Sequence, residues 1–116
     1  MSRPAAEVVT DARRRGAQVH RVGPATTKAA LLADFARALE FPDWSGRNWD
    51  ALVDSLRDLS WLPAGPHAVV WTGSTALKEA HPDTYETALE VLRQATADSA
   101  GTDRPLTVLL TAEEEG

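Results

Sequence analysis

Two short apolar runs, His67-Ala68-Val69-Val70-Trp71 and Pro105-Leu106-Thr107-Val108-Leu109-Leu110-Thr111, limit the possible folds more than anything else in the chain. The first has no polar alternation and is too short for a core helix, so it reads as a strand buried on both faces; the second is apolar with β-branched residues interspersed. The segment between them has helical spacing. Ser74 is placed to cap a brief helix to about Ala80, and Pro82 opens a longer one to about Ala97, with Tyr85, Ala88, Leu89, Leu92 and Ala95 on one face. Strands joined through a helix must run parallel and be connected by a right-handed crossover.

The same pattern extends upstream. Ala17–Val22 reads as a third strand on the strength of Val19 and Val22, and Gly23-Pro24 ends it. Thr26 or Thr27 can cap a helix to about Glu40 that buries Leu31, Leu32, Phe35 and Leu39. A first helix spans Pro4 to Arg15 and stops at Gly16, with Arg13, Arg14 and Arg15 in the last turn, where cations suit the helix dipole. The expected fold is therefore α/β, a small three-stranded parallel β-sheet packed with helices and preceded by an extra N-terminal helix. The expected boundaries are a helical extension over 1–16, a domain over 17–112 and a solvated acidic tail over 113–116.

One segment does not serve the core alone, Phe41-Pro42-Asp43-Trp44-Ser45-Gly46-Arg47-Asn48 followed by the run from Trp49 to Leu59. Pro42 opposes helix at Phe41, Gly46 suits a turn that other residues resist, and Asn48 is a favoured N-cap, so a helix should start at about Trp49. Trp49, Leu52, Val53 and Leu56 fall on one stripe, and Asp50, Asp54 and Asp58 form a column on the polar side. Carboxylates four residues apart repel, and the helix dipole relieves only the first turn, so Asp54 has no local reason to be acidic. A solvated face neutralised by Arg47 and Arg57 is one reading. A rigid turn carrying Trp44 beside aligned carboxylates is the composition of a recognition patch.

These residues resemble the signature of the barstar family of intracellular ribonuclease inhibitors, with Pro42, Trp44, Gly46, Asn48, Asp50, Ala51, Leu52 and Asp54 all in register. The resemblance covers about Gln18 to Leu110. It implies a three-stranded parallel sheet with packed helices, no catalysis and no cofactor, and a protein partner, a small secreted guanyl-specific-type ribonuclease whose active site is blocked. It places Trp44, Ser45, Gly46, Asn48, Asp50, Val53, Asp54, Arg57 and Gln94 at the contact. Ser45 stands where the family commonly has a second aromatic, Val53 replaces an aromatic, and Gln94 takes the place of an acid on the late helix. The alternatives are a barstar-like interaction module serving a different toxin or a non-nuclease protein, and, remotely, a small glycosidase using Asp50 and Asp54.

Composition narrows the field further. The 116 residues carry 17 Asp and Glu against 12 Lys and Arg, a net charge of -5 that argues against direct nucleic-acid binding. There are no cysteines, so disulfides, thiol nucleophiles and Cys-based metal sites are excluded. His20, His67 and His81 lack metal-ligand spacing and read as surface or strand-end residues, and no serine lies in a nucleophile elbow. No apolar leader or membrane span stands out, so a cytoplasmic protein, monomeric when free, is expected.

Overall fold

A computed structural model describes residues 4–43 and 45–111. The elements in order are α1 (Ala5–Arg14), β1 (Gln18–Val22), α2 (Lys28–Ala38), α3 (Trp49–Asp58), β2 (His67–Trp71), α4 (Ser74–Ala80), α5 (Pro82–Ser99) and β3 (Leu106–Leu110). The strands form one parallel sheet in the order β1-β2-β3, with His20 beside Val69 and Val69 beside Val108. The expected α/β architecture is the one observed, including the helix ahead of the first strand.

Strand alternation gives the sheet two unlike faces. Val22, Val69, Trp71 and Leu106 meet Leu31, Leu32 and Phe35 of α2, Leu52 and Leu56 of α3, Leu77 of α4 and Ala88, Leu92 and Ala95 of α5 in the main core. On the other face, Val8 and Val9 of α1 cover Val70, with Val19 and Leu109 at the margin. Every residue of β2 is buried, as its apolar run required. The last turn of α1 contains Arg13 and Arg14, and Gly16 follows in the left-handed conformation that favours glycine.

Three local expectations are corrected. Ser74 is not the cap of α4; Gly73 occupies that position, and the Ser74 hydroxyl donates to the Thr111 carbonyl at 3.3 Å, tying α4 to the end of β3. Helix α5 buries Val91 together with Ala88, Leu92 and Ala95, while Tyr85 and Leu89 are only half-buried.

The third concerns the histidines. His67 is wholly buried, and its Nε2 lies 2.9 Å from the Pro63 carbonyl. A carbonyl can only accept, so the His67 Nε2 carries a hydrogen, and its Nδ1 lies 2.9 Å from Nε2 of His20. The pair fastens β1 and β2 to the connector before β2. Burial, then the neighbouring His67, push the His20 pKa below its ordinary 6.5, against a hydrogen bond to the Ala38 backbone and the charge of Glu40. His81 alone is exposed, at the N-cap of α5.

Candidate partner-binding site

The site is built on the N-terminus of α3. Asn48 has extended backbone angles, and its side-chain oxygen accepts from the Ala51 N–H at 2.8 Å, satisfying one donor that a helix start leaves open. Helix α3 therefore begins at Trp49, where the N-cap signal put it. At the other end the chain turns through Leu59 in the left-handed region, φ 48°, with its side chain fully buried. The burial of that leucine offsets a conformation that glycine usually supplies.

The loop before the cap is drawn in by short bonds. The Ser45 N–H donates to the Pro42 carbonyl at 2.9 Å, closing a tight turn, and the Ser45 hydroxyl lies 3.5 Å from the hydroxyl of Ser55. Ser55 is buried, which the apolar stripe did not anticipate; it sits where the loop folds back against α3. Gly46 does not adopt a positive φ, so the turn conformation expected of it is absent. Space is what it supplies: a Cβ there would lie 3.2 Å from Nδ2 of Asn48 and 3.5 Å from Cβ of Ala51. Trp44, expected at the centre of the patch, lies outside the described residues, as do Glu113, Glu114 and Glu115.

The acidic column faces outward as its spacing required. Asp50 is in the first turn of α3, where the positive end of the helix dipole favours it. Asp54 is 67% exposed and is held at 2.8 Å by Nη2 of Arg57, whose Nη1 reaches Asp98 of α5 at 3.2 Å. Arg57 thus bridges two helices. An ion pair this exposed contributes about 0–1 kcal/mol, so an incoming cation can displace Arg57 at little cost. Arg47 does not neutralise the column; its guanidinium turns back onto the Ser45 carbonyl at 3.3 Å.

The remaining expected positions divide between core and rim. Val53 and Trp49 are half-buried against the main core, so both are as much packing residues as contacts. Gln94 is exposed on α5, one turn before Asp98, on the same helix face by its spacing. Two residues were missed. Asp98 stands four positions after Gln94, a spacing that could have drawn attention to it. Lys28 of α2 places its ammonium 5.3 Å from the centre of the Trp49 ring, a contact between elements that carries no signal in the sequence.

Among the described residues, no group of three or more His, Asp or Glu side chains converges as metal ligands would. No helix of the described residues is long and apolar enough to cross a membrane. The arrangement offers a rigid helix edge with outward carboxylates and a short loop pinned beside it. That is equipment for pairing with cations on another molecule. A family model described as Barstar (barnase inhibitor) matches residues 18–111, a span that takes in all three strands and the whole of the site. No curated protein sequence matches the chain.

Proposed function

Because the chain belongs to the barstar (barnase inhibitor) family, we propose that it inhibits a small secreted microbial ribonuclease of the guanyl-specific type from within the cytoplasm. A ribonuclease needs Arg, Lys and His to hold phosphate and stabilise the charge that develops during cleavage. The observation that carries the reading is the position of Asp54, outward on a capped helix and held, among the described residues, by an exposed arginine of its own helix. In this mechanism Asp54 and Asp50 take the place of phosphate, Arg57 swings aside, and the Ser45-Gly46 turn with Asn48 shapes the surrounding contact. The protein blocks an active site and catalyses nothing.

The test is titration of the parent and of Asp54→Ala into RNA-cleavage assays with a panel of secreted microbial ribonucleases. Stoichiometric inhibition by the parent is expected. The Asp54→Ala variant should lose about 2–5 kcal/mol of affinity, the cost of leaving a buried partner cation unpaired, while keeping its fold because Asp54 is exposed. A large single-aspartate effect has its precedent in the barnase–barstar pair. Inhibition by the parent that the variant fully retains would remove Asp54 from the mechanism. No inhibition across the panel would move the assignment to a different toxin or a non-nuclease partner.

A further inference from the structure

Arg57 has two carboxylates within reach, and they are not equivalent seats. Asp54 stands three residues before it on α3 and is 67% exposed; Asp98, on α5, is 38% exposed. The Asp98 backbone is fixed on both sides. Ala95 and Ser99 of the same helix are fully buried, and the Ser99 hydroxyl donates to the Thr96 carbonyl at 3.1 Å and accepts from the Leu106 N–H at 2.9 Å, which ties this end of α5 to β3. Arg57 follows Leu56, also fully buried, which packs in the main core together with Leu92 and Ala95 of α5. Both side chains of the Arg57–Asp98 pair therefore leave backbone that the core holds still.

Asp98 also has an electrostatic need that Asp54 lacks. It lies in the last turn of α5, and that turn contains no basic residue. The negative end of the helix dipole disfavours a carboxylate there. Arg57 is the cation that offsets it, and among the described residues Asp98 pairs with no other. Asp54 sits in the middle of α3, away from both helix ends. A cation brought by a partner replaces Arg57 at Asp54, whereas no other described cation replaces it at Asp98.

We propose that Asp98 is a positioning residue for the partner-binding site, holding Arg57 on α5 when a partner's cation takes Asp54. In the inhibitor reading of Asp54, on which this rests, Arg57 gives up its bond of 2.8 Å and keeps the one of 3.2 Å. Without Asp98, the guanidinium has Asp54 alone to pair with in the free protein, and in the complex it stands unpaired beside the incoming cation, where like charges repel. Both effects weaken binding, and both act through Arg57. Asp98 has no need to touch the partner.

A double-mutant cycle of Asp98→Asn and Arg57→Ala tests it, with Kd measured against a ribonuclease that the parent inhibits. Asp98→Asn should raise Kd about two- to fivefold in the parent and less than about twofold in Arg57→Ala. The long-range loss of one negative charge is common to both backgrounds and cancels in the cycle. Asp98→Glu, which keeps a carboxylate at the seam, should restore the parent's affinity. A loss in Arg57→Ala as large as in the parent, or larger, overturns the inference, because Asp98 then meets the partner itself.

A second readout needs no ribonuclease. The heteronuclear NOE of the Arg57 Nε–Hε group in the isotopically labelled protein reports whether the guanidinium is held on the fast timescale. Asp54→Ala stands for the state in which a partner has taken Asp54. In that variant Arg57 should stay ordered, and adding Asp98→Asn should release it. An Arg57 that Asp54→Ala alone sets free overturns the inference whatever the protein binds. Should no ribonuclease on the panel be inhibited, the proposed function fails, and this readout still decides whether Asp98 holds Arg57.

Discussion

Arg57 has two acidic partners, Asp54 at 2.8 Å and Asp98 at 3.2 Å, and both are exposed. Its guanidinium therefore competes with any cation a partner presents to Asp54. Arg57→Ala should bind a basic ribonuclease more tightly, by up to about fivefold since an exposed pair is worth at most about 1 kcal/mol, with almost no change in thermal midpoint. Surface plasmon resonance against the ribonuclease found in the inhibition assays measures it, and weaker binding would make Arg57 a direct contact instead. His20 carries a different consequence. Its pKa in the folded protein is lowered below 6.5, so between the folded value and 6.5 the unfolded chain binds more protons. Stability from this residue is thus complete above about pH 6.5 and declines as the pH falls below it. Urea midpoints should show that decline, and His20→Gln should flatten it.

At the scale of the element, the first turn of α3 carries the cap and the first of the outward carboxylates. Asn48 caps the helix, and the same cap fixes where Asp50 and Asp54 point. Asn48→Ala should lower stability by about 0.5–2 kcal/mol, read from the denaturation midpoint, and should weaken inhibition beyond any direct contact of the asparagine. An Asn48→Asp or Asn48→Ser variant, which keeps a capping oxygen, should restore the stability. The helices were legible because their signals are local: Thr27 caps α2, Pro82 opens α5, and the 3.6-residue spacing marks the buried faces. The reason for Gly46 was not legible. Glycine is compatible both with a special backbone angle and with close approach, and only the placed side chains of Asn48 and Ala51 distinguish the two.

For the whole molecule, α1 raises the sharpest question, since it lies ahead of the matched residues 18–111 and covers the sheet face opposite α3. Val9 and Val8 pack on Val70 there, a small cluster separate from the main core. Val9→Ala should destabilise the fold by about 1–3 kcal/mol through lost burial and a residual cavity, leaving inhibition of a ribonuclease unchanged. Chemical denaturation and the inhibition assay together check it. A loss of inhibition in a folded Val9→Ala protein would connect the two faces.

By itself the sequence determined the strands, the start of α3, the parallel sheet and the outward column of carboxylates, because burial on both faces, capping and helical periodicity are written in neighbouring residues. The register of the signature from Pro42 to Asp54 was likewise local. The tertiary structure decided whatever required residues distant in the chain to meet. It paired buried His67 with His20 across 47 positions and joined Arg57 to Asp98 across 41. Local patterns state which face of an element is apolar; only packing states which polar group is then left beside which.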